Sequence, residues 1–204
     1  MRHRLFSYRA LGLAATLGAL LVAPAAASAA YSSAALDTST CGGGSFSQPF
    51  LSLKDTNWYA PAAGTSASGF EPGAWQLTGG ARLLTTTVNG QPVTVLDLPG
   101  GSKAYSPRMC VTRDYPRARA VMRNAVGGGG VNFRVAYEGT PTWEDPKNTG
   151  QIHGNGSEWT AAGASNLQPY GTQEWQPMRV VLEAPAGAGD YQVSQLWIDP
   201  RYGH

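Results

Sequence analysis

The residues able to do chemistry are concentrated between Tyr137 and Trp175. This segment carries Tyr137, Trp143, Trp159, Tyr170 and Trp175, interleaved with Asp145, Asn148, Gln151, His153, Asn155, Gln168 and Gln173. Flat aromatic faces suit the apolar side of a pyranose, and amides and carboxylates suit its hydroxyls, so the mixture points to sugar binding. The expected ligand contacts are Trp143, Asp145, Gln151, His153, Asn155, Trp159 and Tyr170, with Trp143, Trp159 and Tyr170 as stacking platforms. Catalysis has less to work with. Beyond residue 30 the histidines are His153 and His204, so a histidine-dependent mechanism rests on His153. There is no G-x-S-x-G elbow and no H-E-x-x-H. Glu138, Glu144, Asp145, Glu158 and Glu174 lie in the right region for a glycosidase, yet nothing in their spacing selects a pair across a cleft. The glycine run 127–130 leads into a strand and lacks a following Lys-Ser/Thr, which makes it a turn and not a phosphate cradle.

Charge and cysteine usage narrow the setting. The chain of 204 residues has 15 Lys and Arg against 13 Asp and Glu, a formal charge of +2. Residues 1–30 read as a secretory signal: a basic start through Arg4, an apolar run from Leu11 to Ala23, then Ala27-Ser28-Ala29 as an A-x-A cleavage site. Cleavage after Ala29 or Ala30 removes Arg2, Arg4 and Arg9 and leaves 12 cations against 13 carboxylates. A net charge of −1 is not that of a nucleic-acid binder. The apolar run is shorter than a spanning helix needs, so no membrane association is expected after cleavage. Cys41 and Cys110 are the only cysteines, and in an oxidising compartment an even pair is read as a disulfide. It would tie the arm Cys41-Gly42-Gly43-Gly44 to the strand around Met109-Cys110-Val111.

The elements that must position these residues are short strands. Residues 31–40 are small and polar and read as a disordered lead-in, followed by one domain over 41–204. Asn89-Gly90 between two apolar runs marks a hairpin, and Val131, Phe133, Val135 and Tyr137 alternate with Asn132, Arg134, Ala136 and Glu138. Arg179–Glu183 and Tyr191–Ile198 read as a closing pair around the turn at 184–190. Trp75 and Trp197 sit in strand patterns and are expected in the core. Helical periodicity is absent beyond the leader. The fold class is all-β, a two-sheet β-sandwich of about eight or nine strands and most simply a jelly roll. Arg117, Arg119 and Arg123 share one strand face. They read as a solvated face balanced by acidic neighbours, or as a patch for an anionic polymer.

Phe70-Glu71-Pro72-Gly73-Ala74-Trp75 resembles the opening F-E-x-G…W of galactose-binding-like jelly rolls, among them carbohydrate-binding modules of the family 4/9 type. Ser106–Val111 resembles a middle strand of that pattern, and Leu196-Trp197-Ile198-Asp199 is similar to its last. The resemblance spans roughly residues 68–200 through short motifs. The whole chain is also similar to small secreted proteins of actinobacteria. The module resemblance implies a structural Ca²⁺ held by Glu71 and Asp199, although Pro200 replaces the second acidic residue usual after the Asp. Gln151-Ile152-His153 resembles the Q-I-H motif of alginate-lyase-like jelly-roll lyases, where Gln neutralises the uronate carboxylate and His acts as base. The R-x-E-x-R and Tyr/Lys-rich strands of those enzymes are missing here. The expectation is a secreted, monomeric, non-catalytic module for an extracellular or cell-wall polysaccharide. The alternatives are a lyase using Gln151 and His153, and a surface protein whose partner is another protein.

Overall fold

Alternation drives the long strands. Val131, Phe133, Val135 and Tyr137 turn inward while Asn132 and Arg134 face out, as a period of two requires. Asn89 and Gly90 both take positive φ, 49° and 79°, the geometry that matches strand twist in a two-residue hairpin. The computed structural model describes residues 36–41, 45–171 and 173–200. The leader expected at 1–30 and the first half of the lead-in lie outside them.

In chain order the strands are β1 (Ala60–Pro61), β2 (Thr65–Ser66), β3 (Gly69–Phe70), β4 (Gln76–Thr78), β5 (Arg82–Val88), β6 (Gln91–Leu98), β7 (Lys103–Tyr105), β8 (Met109–Thr112), β9 (Arg117–Val126), β10 (Val131–Tyr137), β11 (Lys147–Ile152), β12 (Thr160–Ala161), β13 (Ser165–Asn166), β14 (Trp175–Glu183) and β15 (Asp190–Asp199). Among the described residues there are fifteen strands where eight or nine were expected, because five are two-residue pairings too short to leave a periodic signature. One sheet has nine strands along the path β12-β9-β15-β6-β3-β2, with β5 on β6, β1 on β15 and β13 on β9. The other has six, β11-β10-β14-β7-β4, with β8 also on β14. Most connections switch sheets, the wrapping of a jelly roll. The helical content of the described residues is two 3₁₀ turns, Leu51–Leu53 and Pro141–Trp143.

The core lies between the sheets, with Phe70, Leu96, Met122, Phe133, Leu182 and Leu196 among its buried members. Each such side chain contributes roughly 1.5–3 kcal/mol by leaving water. The F-E-x-G…W motif serves this core: Phe70 and Trp75 meet edge to face at 5.1 Å, while Glu71 points out. Gly69, just before the motif, lies against Thr94 of β6. A Cβ there would sit 2.0 Å from the Thr94 carbonyl oxygen, so the close parallel approach of β3 and β6 requires glycine.

Two expectations are corrected. β14 and β15 do not pair, since β14 lies between β10 and the β7–β8 segment, and β15 between β9 and β6. Residues 184–190 carry the chain from one sheet to the other, because periodicity reports a strand's inward face and is silent about its partner. Trp197 faces outward on β15 and is half-buried, whereas Trp75 is in the core as expected. A bulge between Val193 and Gln195 offsets the alternation ahead of it.

Cys41 and Cys110 form a disulfide with Cα atoms 5.4 Å apart. Arg108 completes the clamp: its Nε donates to Glu138 Oε2 at 2.7 Å, its Nη1 to Thr40 Oγ1 at 3.3 Å, and its Nη2 to the Asp37 carbonyl. Leu36–Thr40, the described half of the expected disordered lead-in, is therefore held against β8 and the end of β10.

Candidate functional site

The two outer faces of the sandwich differ. The outer face of the nine-stranded sheet is covered. An arm, residues 45–59, folds back through the Ser47–Tyr59 bridge. It sets Phe50 edge-on against Tyr59 at 5.2 Å and Trp197 at 6.4 Å. The Arg119 guanidinium lies 4.9 Å over the Phe50 ring and pairs with Asp55, which also accepts from the Tyr59 hydroxyl at 2.9 Å. Burial, followed by that bond to Asp55, pushes the Tyr59 phenol up to about 12. Trp159 covers the far half of the face, packing on the small cluster Val88, Val93 and Val95. Arg123 lies 4.6 Å over its ring. Beneath it a polar row crosses four strands: Arg82 pairs with Asp97, Gln192 Nε2 donates to Asp97 Oδ1, and Arg123 Nε donates to Gln192 Oε1. The arginine strip read from β9 is thus engaged at Arg119 and Arg123, and does not present a free basic patch. The burial of Asp97 explains the row, since a buried carboxylate must be paired and hydrogen-bonded.

The outer face of the six-stranded sheet is built differently. Register aligns Thr78, Lys103, Glu183, Asn132 and Gln151 in one row across β4, β7, β14, β10 and β11. The next row is Gln76, Tyr105, Val181, Arg134 and Asn148. Lys103 Nζ and Arg134 Nε pair with the two oxygens of Glu183 at 3.0 and 2.5 Å. Burial alone would raise the Glu183 carboxyl, but the bonds and charges of Lys103 and Arg134 outweigh it and hold the group below the usual carboxylate range. Gln151 Nε2 donates to Asn132 Oδ1 at 2.9 Å. In the middle of the face Arg179 lies 4.3 Å from the Trp143 ring centre and 5.3 Å from that of Tyr105. Its Nη2 donates to the Trp143 carbonyl at 2.8 Å. Trp143 is placed by the 3₁₀ turn, which Thr140 caps by accepting from the Thr142 amide. The face therefore presents two aromatic rings around a cation, with amides, a carboxylate and further cations in rows.

The structure disperses the seven expected contacts. Trp143, Asp145 and Gln151 border the six-stranded face. His153 and Asn155 lie on the segment that leaves β11 and crosses to β9, where the Asn124 amide donates to the Gly156 carbonyl. Ile152 is in the core, and the His153 ring lies against Gly130, where a Cβ would sit 2.7 Å from Nδ1. Trp159 is on the opposite outer face. Tyr170 is half-exposed at one end of the sandwich, next to a cavity of about 440 Å³ lined by Arg113, Asp114, Tyr115, Asn166 and Gln168. Its loop is ordered by the buried Gln176, which accepts from the Tyr170 amide at 2.8 Å. Sequence reasoning missed Tyr105, Arg179, Asn132 and Glu183. Strand alternation marks them as outward, but which outward face stays uncovered depends on where the arm and the Trp159 segment settle.

The carboxylates suggested for calcium do not make a site on their own. Glu71 is exposed in the turn after β3, while Asp199 is fully buried in β15 opposite Arg117. Among the described residues no three His, Cys, Asp or Glu side chains gather where a metal ion could sit, and calcium needs six to eight oxygens. No step is assigned to it.

No family model matches the chain, and no curated protein matches it. The solved structures similar to it include the second N-terminal cellulose-binding domain of β-1,4-glucanase C from Cellulomonas fimi, at 16% identity, covering 70% of this chain and 93% of that one, TM-score 0.40. The CsCBM6-3 module of Clostridium stercorarium, solved in complex with cellobiose, is 13% identical over 71% of this chain and 98% of its own, TM-score 0.41. The CBM22-1 xylan-binding domain from Paenibacillus barcinonensis is 13% identical over 71% of this chain and 100% of its own, TM-score 0.46.

Proposed function

We propose that this chain is a non-catalytic carbohydrate-binding module, of the family 4/9 type that its F-E-x-G…W motif resembles, holding a polysaccharide outside the cell. One observation carries the reading: among the described residues one outer face of the sandwich is left open, and it is lined in rows by the groups that sugars require. Trp143 and Tyr105 supply aromatic surface, Gln76, Asn132, Asn148 and Gln151 supply amides, and Glu183 is a charged acceptor fixed by two cations. A flat strip across five strands suits an extended polymer better than a small molecule. The disulfide supports a setting outside the reducing cytosol. Gln151 and His153 do not support a lyase, because the Gln151 amide is tied to Asn132 and the His153 ring packs on a turn glycine.

The test is a depletion assay of the oxidised protein against insoluble peptidoglycan, chitin, cellulose, xylan and calcium-gelled alginate. Retention on at least one polymer is expected, weakened about tenfold in Tyr105→Ala with the melting temperature kept, as for the loss of one aromatic contact. Retention on none by a folded protein refutes the reading. A protein partner is favoured by a different observation: Phe46, Leu51, Leu53 and Trp58 are all exposed on the one arm. Concentration-dependent light scattering, or co-purification lost in Leu51→Ser/Leu53→Ser, would establish it.

A further inference from the structure

Among the described residues no carboxylate pairs with Arg179. The cations of the open face are Lys103, Arg108, Arg134 and Arg179, and its carboxylates are Glu138 and Glu183. Lys103 and Arg134 share Glu183, and Arg108 takes Glu138, which leaves Arg179 without a carboxylate partner among the described residues. The flanking turn adds Glu144, Asp145 and Lys147, all exposed, so cations still exceed carboxylates by one. The beyond-leader chain as a whole has the opposite sign, 12 cations to 13 carboxylates. A half-buried guanidinium without an anion carries a desolvation penalty that its surroundings offset only in part, through two rings and one carbonyl. Its Nε is buried without a hydrogen-bond partner among the described residues. The two rings and the bond to the Trp143 carbonyl hold the guanidinium in position before a ligand arrives.

From this, and resting on the carbohydrate-binding reading above, we infer that the open face selects an acidic polysaccharide, one bearing carboxylate or sulfate groups, with Arg179 as the contact for the anion. Guanidinium matches either group geometrically and binds it through charge-assisted hydrogen bonds. The amide pair Asn132–Gln151 and the Tyr105 hydroxyl lie on the same face, where the sugar hydroxyls would be read. Glu183 repels a second nearby anion unless Lys103 and Arg134 neutralise it, and both are in place to do so.

The experiment is affinity electrophoresis of the oxidised protein through gels containing polygalacturonate or alginate (carboxylate), chondroitin sulfate (sulfate and carboxylate), or dextran sulfate (sulfate alone), beside xylan and hydroxyethylcellulose as neutral polymers. Retardation by at least one acidic polymer is expected, falling steeply as salt is raised. It should weaken about tenfold to a hundredfold in Arg179→Gln and less in Arg179→Lys, which keeps the charge but loses the planar fork. The arms separate carboxylate from sulfate. Because Arg179 also supports Trp143, thermal melts of both variants are compared with the parent. The salt dependence of the parent protein needs no variant and stands if Arg179→Gln fails to fold. Equal or stronger retardation by neutral polymers, insensitive to salt, overturns the inference and leaves the carbohydrate-binding reading intact. Retardation by none of the polymers overturns the inference, and the depletion assay against the insoluble polymers then decides the carbohydrate-binding reading separately.

Discussion

Reducing the disulfide should release a second, shorter arm, residues 36–41, and leave the sandwich standing. Cys41 and Cys110 are 69 residues apart, and chain-entropy reasoning gives a closed loop of that length a ceiling of about 4 kcal/mol of stabilisation through the unfolded state. The folded state decides how much of that ceiling is lost. After reduction, residues 36–41 are held by two hydrogen bonds from Arg108 and by the half-buried Leu36 side chain against Gly139, worth roughly 2–4 kcal/mol together. Keeping six residues in one conformation costs on the order of 1 kcal/mol each in backbone entropy alone. The contacts lose that comparison, so the arm frays once the bond is broken. The native state then regains part of the freedom that the unfolded chain gains, and the global loss falls below the ceiling. Urea unfolding with and without reductant measures the loss, and hydrogen exchange locates it. The Cys41 amide, which donates to Thr38, should exchange freely in the reduced protein, while the β9–β15 ladder stays protected. A loss at or above about 4 kcal/mol with the arm still protected would refute the fraying argument. No change on reduction would refute the constraint itself.

Glu183 makes stability depend on acid. Its folded value is depressed by Lys103 and Arg134, so its contribution is complete above the ordinary carboxyl value and is lost as pH falls through the depressed one; Glu183→Gln should flatten the melting temperature over that acidic window. Tyr59 acts at the other end. Its phenol is raised to about 12, so it stabilises the fold below the ordinary tyrosine value near 10 and this is lost as pH climbs to 12; phenolate absorbance should show at least one tyrosine resisting ionisation until unfolding, and Tyr59→Phe should widen the alkaline range of stability. Chelation should do nothing: melting curves with EDTA and with added Ca²⁺ are expected to superimpose, and a calcium-dependent shift would show that Glu71 or Asp199 belongs to a site completed by backbone oxygens.

The fold was legible where the signal is local. The Asn89-Gly90 hairpin, the alternation of β10 and the cysteine pair each follow from a few neighbouring residues, and each forms. Partnerships were not legible, because Val180 and Val193 carry the same inward signal although they belong to different sheets. The same limit governs the candidate site. Trp143 and Trp159 look alike in sequence, both aromatic and set among amides, yet one borders the open face and the other seals the covered one. What separates them is where the chain runs between them: after Ile152 it leaves the edge of one sheet and joins Met122 at the edge of the other. Tyr105 and Arg179 were overlooked for the complementary reason. Each lies in a short or central strand whose outward residues look like ordinary solvated positions until the opposite ring arrives from a distant turn.

The placement of β14 and β15 bears on how the molecule can be made. Each occupies the interior of its sheet, β14 with neighbours on both sides and β15 likewise, and both come at the end of the chain's order of strands. β15 also reaches back to β1, pairing Ile198 with Ala60. A chain emerging residue by residue, from a ribosome or through a membrane pore, can form the β5–β6 and β10–β11 hairpins early. It cannot close either sheet until the two last strands insert between partners already waiting with unpaired edges. Folding is therefore deferred until β15 has emerged and is dominated by distant contacts, which makes it slow relative to a helical domain of this size. During that interval the waiting edges of β9 and β10 are the surfaces on which two incomplete chains would join.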